Sequence, residues 1–155
     1  MISLYIVAIL ILTYLGAYIS ASETALFSLP NTKVKSFKTD PDSRKQTIAR
    51  LLAKPRDLLV TVFMLNTLFN ILLQNVVSTS LGESASLLAK VGIPLALTLI
   101  LGEIIPKYYG LQNNVQVSLK VAPSIDITQN LIGPIRRFIV KITTPVSRAL
   151  FRSEE

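Results

Sequence analysis

A carboxylate interrupts an apolar run in this chain: Leu99-Ile100-Leu101-Gly102-Glu103-Ile104-Ile105-Pro106-Lys107 sets Glu103 three residues ahead of a proline. Pro106 has no N–H to donate and crowds the carbonyl four residues earlier, so in an α-helix the unpartnered carbonyl is that of Gly102. One short segment therefore offers a carbonyl oxygen and a carboxylate side by side, both hard ligands suited to magnesium or sodium. Irregular backbone at membrane depth is tolerated where it lines a cavity or is buried in protein. Lys107 supplies the plainer reading, since four residues after Glu103 it is placed for an i,i+4 salt bridge. Intramembrane acids mark functional sites by default, and that favours the ion site.

Two further groups of polar residues fall in apolar surroundings. Asn66, Asn70, Gln74 and Ser78 recur every four residues, which puts them in one stripe of a helix. Interhelical hydrogen bonding is the ordinary use of such a stripe. Asn66 and Asn70 are expected in the inner half of their span, level with Ser20 and Glu103, whereas Gln74 and Asn75 lie further out as vestibule or packing residues. The run Ser20-Ala21-Ser22-Glu23-Thr24 is small and polar. Ser20 and Ser22 read equally as small residues that let helices approach. Glu23 has three open readings: a second ligand, a protonated acid, or the partner of a lysine from the following loop.

Composition narrows the chemistry. The chain has 155 residues, half of them hydrophobic and only 16% charged, with a mean hydropathy of +0.52, which is too apolar for a soluble domain of this size. Cys and His are absent, so disulfides, thiol chemistry, zinc sites and imidazole catalysis are excluded, and any metal must be held by oxygen. No Ser/Lys or Asp/Asp constellation specific enough for an intramembrane hydrolase stands out, and an enzyme is not expected. The net charge of +7 comes mainly from basic clusters at 33–56 and 136–152. In a membrane protein these indicate cytoplasmic segments and acidic lipid head groups, not nucleic acid.

The elements that must position these residues follow from the apolar pattern. The first span covers about 2–29, is uncharged through Ser22, and lacks the basic start and clean cleavage site of a signal peptide. The basic connection after it is cytoplasmic by the positive-inside rule, which puts the N-terminus outside. Asp42 and Ser43 followed by Ile48, Leu51 and Leu52 predict a capped amphipathic cytosolic helix at about 42–54. A second span is expected at about 58–81 and a third at about 86–111. The third has a short apolar run from Val91 to Ile105 and must use the Gly-Glu-x-x-Pro-Lys interruption to finish its crossing. At about 124–150, Leu131, Ile135, Phe138, Ile142, Val146 and Ala149 share a face opposite Arg137, Lys141, Thr144 and Arg148. That predicts a helix lying in the membrane interface, with Pro134 and Pro145 bending or breaking it into a juxtamembrane belt. The fold class expected is an all-α integral membrane protein: three transmembrane helices and an amphipathic belt helix, multi-pass in the cell (inner) membrane, C-terminus cytoplasmic.

Taken together, Ser20-Ala21-Ser22-Glu23-Thr24-Ala25-Leu26, Asn66-Thr67-Leu68-Phe69-Asn70 and Gly102-Glu103-Ile104-Ile105-Pro106-Lys107 resemble the three signature motifs of the CorC/CorB/CNNM transmembrane domain, over the whole of 1–155. The resemblance implies a homodimer in the lipid bilayer that exports magnesium, coupled to sodium. It implies a metal site with hydroxyl and carbonyl oxygens from Ser20, amide oxygens from Asn66 and Asn70, the Gly102 carbonyl and the Glu103 carboxylate. Ser22, Glu23, Pro106 and Lys107 are secondary candidates. The family usually has Gly before its first Asn, where this chain has Leu65. Its members continue into nucleotide-binding cytosolic CBS domains, expected in a full-length chain and absent from these 155 residues. The competing expectation is an ion-sensing membrane anchor that regulates a partner without transporting.

Overall fold

A long aliphatic run crosses hydrocarbon most cheaply as a helix, because every backbone N–H and C=O is then satisfied within the segment. The computed structural model of the chain describes residues 2–151, with side chains through residue 134, and contains no strand among them. Its elements are α1 (Ile2–Phe27), α2 (Asn31–Phe37), α3 (Ser43–Leu52), α4 (Pro55–Ser80), α5 (Leu87–Leu97), a π-helical stretch (Thr98–Ile104), α6 (Ile105–Gln112) and α7 (Asn114–Phe151). Three 26-residue segments, Ile2–Phe27, Pro55–Ser80 and Leu87–Gln112, are long and apolar enough to cross a membrane. At 1.5 Å per residue each reaches about 39 Å, enough for a ~30 Å hydrocarbon core with room for tilt.

Local chemistry sets where the helices start. The Asp42 carboxylate accepts from the Arg44 backbone N–H at 2.9 Å and so caps α3. Arg44 also donates from its side chain, and these bonds hold the Asp42 carboxyl below the usual carboxylate range. Pro55 stands in the first turn of α4, where its missing N–H costs nothing. Ser86 caps α5 by accepting from Ala89 N–H at 3.2 Å. The tight connection from α4 to α5 is made by Gly82, whose φ of +73° suits a residue without Cβ.

The third span is where the structure departs from the expected interruption. The backbone does not unwind: α5, the π stretch and α6 follow one another without a break. A π-helix bonds each N–H to the carbonyl five residues back, and the Ile105 N–H indeed reaches the Ile100 carbonyl. The next acceptor in that register is Leu101, and Gly102 is the acceptor only in the α register. Pro106 serves neither.

Burial is concentrated at one end of the bundle. Leu26 of α1, Ile48 of α3, Leu58 and Val62 of α4, and Ala122 and Ile125 of α7 are all at most 1% exposed and form one cluster. At the other end Ile2 is 78% and Leu88 83% exposed, as lipid-facing side chains are. The last helix begins at Asn114, ahead of the expected 124, because Val117, Val121 and Ala122 pack into the cluster and carry the helix across Pro123. It runs unbroken past Pro134 and Pro145 to Phe151. Of its expected apolar face only Leu131 lies among the described side chains, and it is exposed.

Candidate functional site

Glu103 projects from the π stretch between α1 and α4, and residues from three segments converge on it. Its Oε1 accepts from Asn66 Nδ2 at 2.6 Å and from Asn70 Nδ2 at 3.0 Å. Its Oε2 accepts from Ser20 Oγ at 3.3 Å and pairs with Lys107 Nζ at 2.9 Å. The carboxylate is thus surrounded by two amides, a hydroxyl and an ammonium, with its side chain 18% exposed. Ser20 is fully buried. The four-residue spacing of Asn66 and Asn70 delivers both amides to the same oxygen, as one face of α4 requires.

Gly102 stands beside this cluster. A Cβ built on it would lie 3.9 Å from Asn70 Oδ1 and 3.9 Å from Thr98 Cγ2, and one built on Gly16 of α1 would also lie 3.9 Å from Asn70 Oδ1. The Asn70 amide oxygen is therefore seated between the backbones of α1 and the π stretch. Two nearby oxygens are buried without a partner: Asn66 Oδ1 and Thr98 Oγ1. A buried acceptor left unpaired costs about 1–3 kcal/mol, so an orphan at the centre of a polar cluster points to a donor or a cation. No group of three or more His, Cys, Asp or Glu side chains that could hold a metal occurs among the described residues. An ion here would have to be held largely by neutral oxygens: amide, hydroxyl and carbonyl.

The secondary residues separate clearly. Ser22 donates to the Tyr18 carbonyl of its own helix at 2.6 Å and does not reach Glu103. Glu23 is the second partner of Lys107, at 3.7 Å, so its cation comes from α6 and not from the loop after α1. The Glu103–Lys107 salt bridge and the convergence of amide and hydroxyl donors on Glu103 are both present, and neither displaces the other. Leu65, where the motif usually has glycine, packs its side chain against the core cluster, and Pro106 is buried.

Three residues at or near the site escaped the sequence reading. Thr98 carries a signal in hindsight, a hydroxyl one helical turn before Gly102. Gly16 and Gly110 carry none, because only the fold says which backbones approach them. A Cβ on Gly110 would sit 2.5 Å from the Ala21 carbonyl oxygen and 3.2 Å from Ala21 Cα, so α6 lies directly on α1 just beyond Lys107.

These features define a multi-pass, all-helical membrane protein with an oxygen-rich polar cluster inside its three-span bundle. The chain belongs to the Cyclin M transmembrane N-terminal domain family, whose match runs over residues 6–155. That family is associated with metal-ion transport across membranes. The chain is also similar to UPF0053 protein sll1254 of Synechocystis sp., with 28% identity over 146 residues that cover 92% of this chain. It spans only 42% of that relative's length.

Proposed function

We propose that this domain exports magnesium across the cell membrane, driven by sodium, through a site made by Ser20, Asn66, Asn70, Gly102 and Glu103. The observation that carries the reading is the buried, unpartnered Asn66 Oδ1 beside a carboxylate on the π stretch that side chains of α1, α4 and α6 reach. Magnesium demands hard oxygens in a near-octahedral shell, and sodium, the coupling ion in this reading, accepts the same donors. A single carboxylate leaves a divalent ion under-neutralised, so the ion is bound loosely enough to be released, as export requires. The two amides direct their N–H groups to Glu103; binding a cation needs them rotated to present oxygen instead.

The membrane orientation in this reading has the N-terminus outside and the basic segment 33–56 in the cytoplasm. The working unit is a homodimer: Thr67, Gln74, Asn75 and Thr79 lie exposed on α4, and polar side chains in a span are satisfied by another protein surface and not by lipid. Cytosolic CBS domains would adjoin the domain in a longer chain.

The test is magnesium flux in proteoliposomes alongside magnesium-dependent thermal stabilisation of the purified protein, which follows mass action for a ligand of the folded state. Glu103→Gln keeps the shape of the side chain and removes the one charge on the ligand set. It is expected to abolish both flux and the magnesium-induced rise in melting temperature while the protein stays folded. An unchanged magnesium response in Glu103→Gln would move the site elsewhere and leave Glu103 as the salt-bridge partner of Lys107. Magnesium stabilisation without flux in the unmodified protein would favour the sensing anchor.

A further inference from the structure

Lys107 is a cation already resident at the cluster, and it has two anions within reach. Its Nζ lies 2.9 Å from Glu103 Oε2 and 3.7 Å from Glu23 Oε2. Glu23 is on α1, Glu103 on the π stretch and Lys107 on α6, so the ammonium sits between carboxylates from different segments. The lysine stem is flexible, and 42% of the side chain is exposed, so its head is free to shift by the ångström that separates one pairing from the other. We propose that Lys107 is a tethered counter-cation that neutralises Glu103 when no metal is bound and moves onto Glu23 when a divalent ion takes Glu103.

Formal charge gives the physical reason. With Glu23 and Glu103 ionised, the group carries −1 without metal and +1 with a divalent ion. Deleting the ammonium changes those states to −2 and 0. The cost of holding net charge in a poorly polarisable site rises steeply with its magnitude, so without Lys107 the empty site is penalised and the loaded site favoured. Lys107 makes the two states comparable, which a carrier that must both load and release requires. Glu23 completes the device by keeping the displaced ammonium paired; otherwise the loaded state would carry an unpaired cation beside the metal. This gives Glu23 and Lys107 a positioning role without making either a metal ligand.

The inference rests on the proposed metal site at Glu103, and the two fail differently. Magnesium titrations of the thermal midpoint on the full 155-residue chain read the half-saturating concentration. Lys107→Met is expected to lower that concentration about tenfold, the factor given by about 1.4 kcal/mol of relieved competition, and to slow flux in proteoliposomes. Glu23→Gln is expected to raise it in the otherwise native chain by more than in the Lys107→Met background, where only the loss of the Glu23 charge remains and no displaced ammonium loses its partner. Because the chain has no cysteine, Lys107→Cys can be aminoethylated to restore an ammonium at almost the original reach. That treatment should return a tightened midpoint to the native value, a recovery that mere packing damage would not give. Weaker or unchanged magnesium binding in Lys107→Met, or an equal loss on Glu23→Gln in both backgrounds, would overturn the counter-cation role. Should Lys107→Met not fold, an unaltered midpoint in Glu23→Gln alone overturns it. Absence of any magnesium response in the native chain refutes the site itself.

Discussion

A methyl group decides how closely two helices may approach, and Gly16 and Gly110 stand at opposite ends of that rule. At Gly110 a Cβ would be driven to 2.5 Å from the Ala21 carbonyl oxygen, a backbone atom that cannot swing aside. Gly110→Ala is expected to destabilise the protein by about 1–3 kcal/mol, the usual cost of overpacking, and to lift α6 and with it Lys107 away from Glu23. Gly16→Ala meets its nearest neighbours at 3.9 Å, an ordinary contact, and is expected to melt close to the native temperature. Thermal unfolding of the two variants side by side checks the pair. Equal losses would mean that the close α1–α6 approach at Gly110 is not what limits alanine there, since backbone entropy favours alanine at both positions. At this scale the acid, the amides and the hydroxyl of the candidate site were legible from residue type and spacing. The two glycines were not, because a glycine in a helix looks the same whether it faces lipid or another backbone.

One element, the π stretch Thr98–Ile104, sets the phase of everything after it. Wide π turns insert an extra residue relative to the α register, and they recur at functional sites. Because successive α residues are separated by about 100° around the axis, gaining or losing one residue turns the rest of the helix by that amount. Pro106 disfavours the α register because its ring crowds the carbonyl four residues earlier, that of Gly102. Pro106→Ala removes that ring, supplies an N–H and lets the stretch tighten toward α. It is expected to weaken the magnesium-induced thermal shift by several-fold although no proposed ligand atom is removed, with the shift against magnesium concentration as the measurement. A native magnesium response in Pro106→Ala would show that the packing of Gly102 against Asn70 and Thr98 holds the register without the proline. The proline and the carboxylate were readable in the sequence as an interruption, but the kind of interruption was not. A loop, a kink and a π turn all accommodate a missing N–H, and the choice depends on what α1 and α4 press against the segment.

For the whole molecule the open quantity is orientation. The basic residues of 33–56 lie at the end of the bundle that also holds the buried cluster of Leu26, Ile48, Leu58 and Ile125, and the α4–α5 connection around Gly82 lies at the other end of α4. In the absence of native cysteines, Lys45→Cys and Ser84→Cys in intact cells are expected to react with a membrane-impermeant maleimide from opposite sides, Ser84→Cys from outside. External labelling of Lys45→Cys would invert the topology and turn the proposed export into uptake. The dimer is tested by cross-linking and by mass in detergent: two copies are expected, and an active monomer would exclude the dimer.

By itself the sequence determined the class of the protein and the polar atoms at its disposal. Uncharged runs long enough to cross hydrocarbon have no alternative to helices, and a chain without Cys or His can offer a metal only oxygen. The capped helix after Asp42 was likewise local in origin, since Asp42 and Arg44 satisfy one another within three residues. What the tertiary structure decided was which atoms meet. It brought Ser20 and Asn66 to opposite oxygens of one carboxylate, gave Lys107 a second anion 84 positions earlier in the chain, and started the last helix at Asn114. Each of these depends on long-range packing, which no local propensity or periodicity encodes.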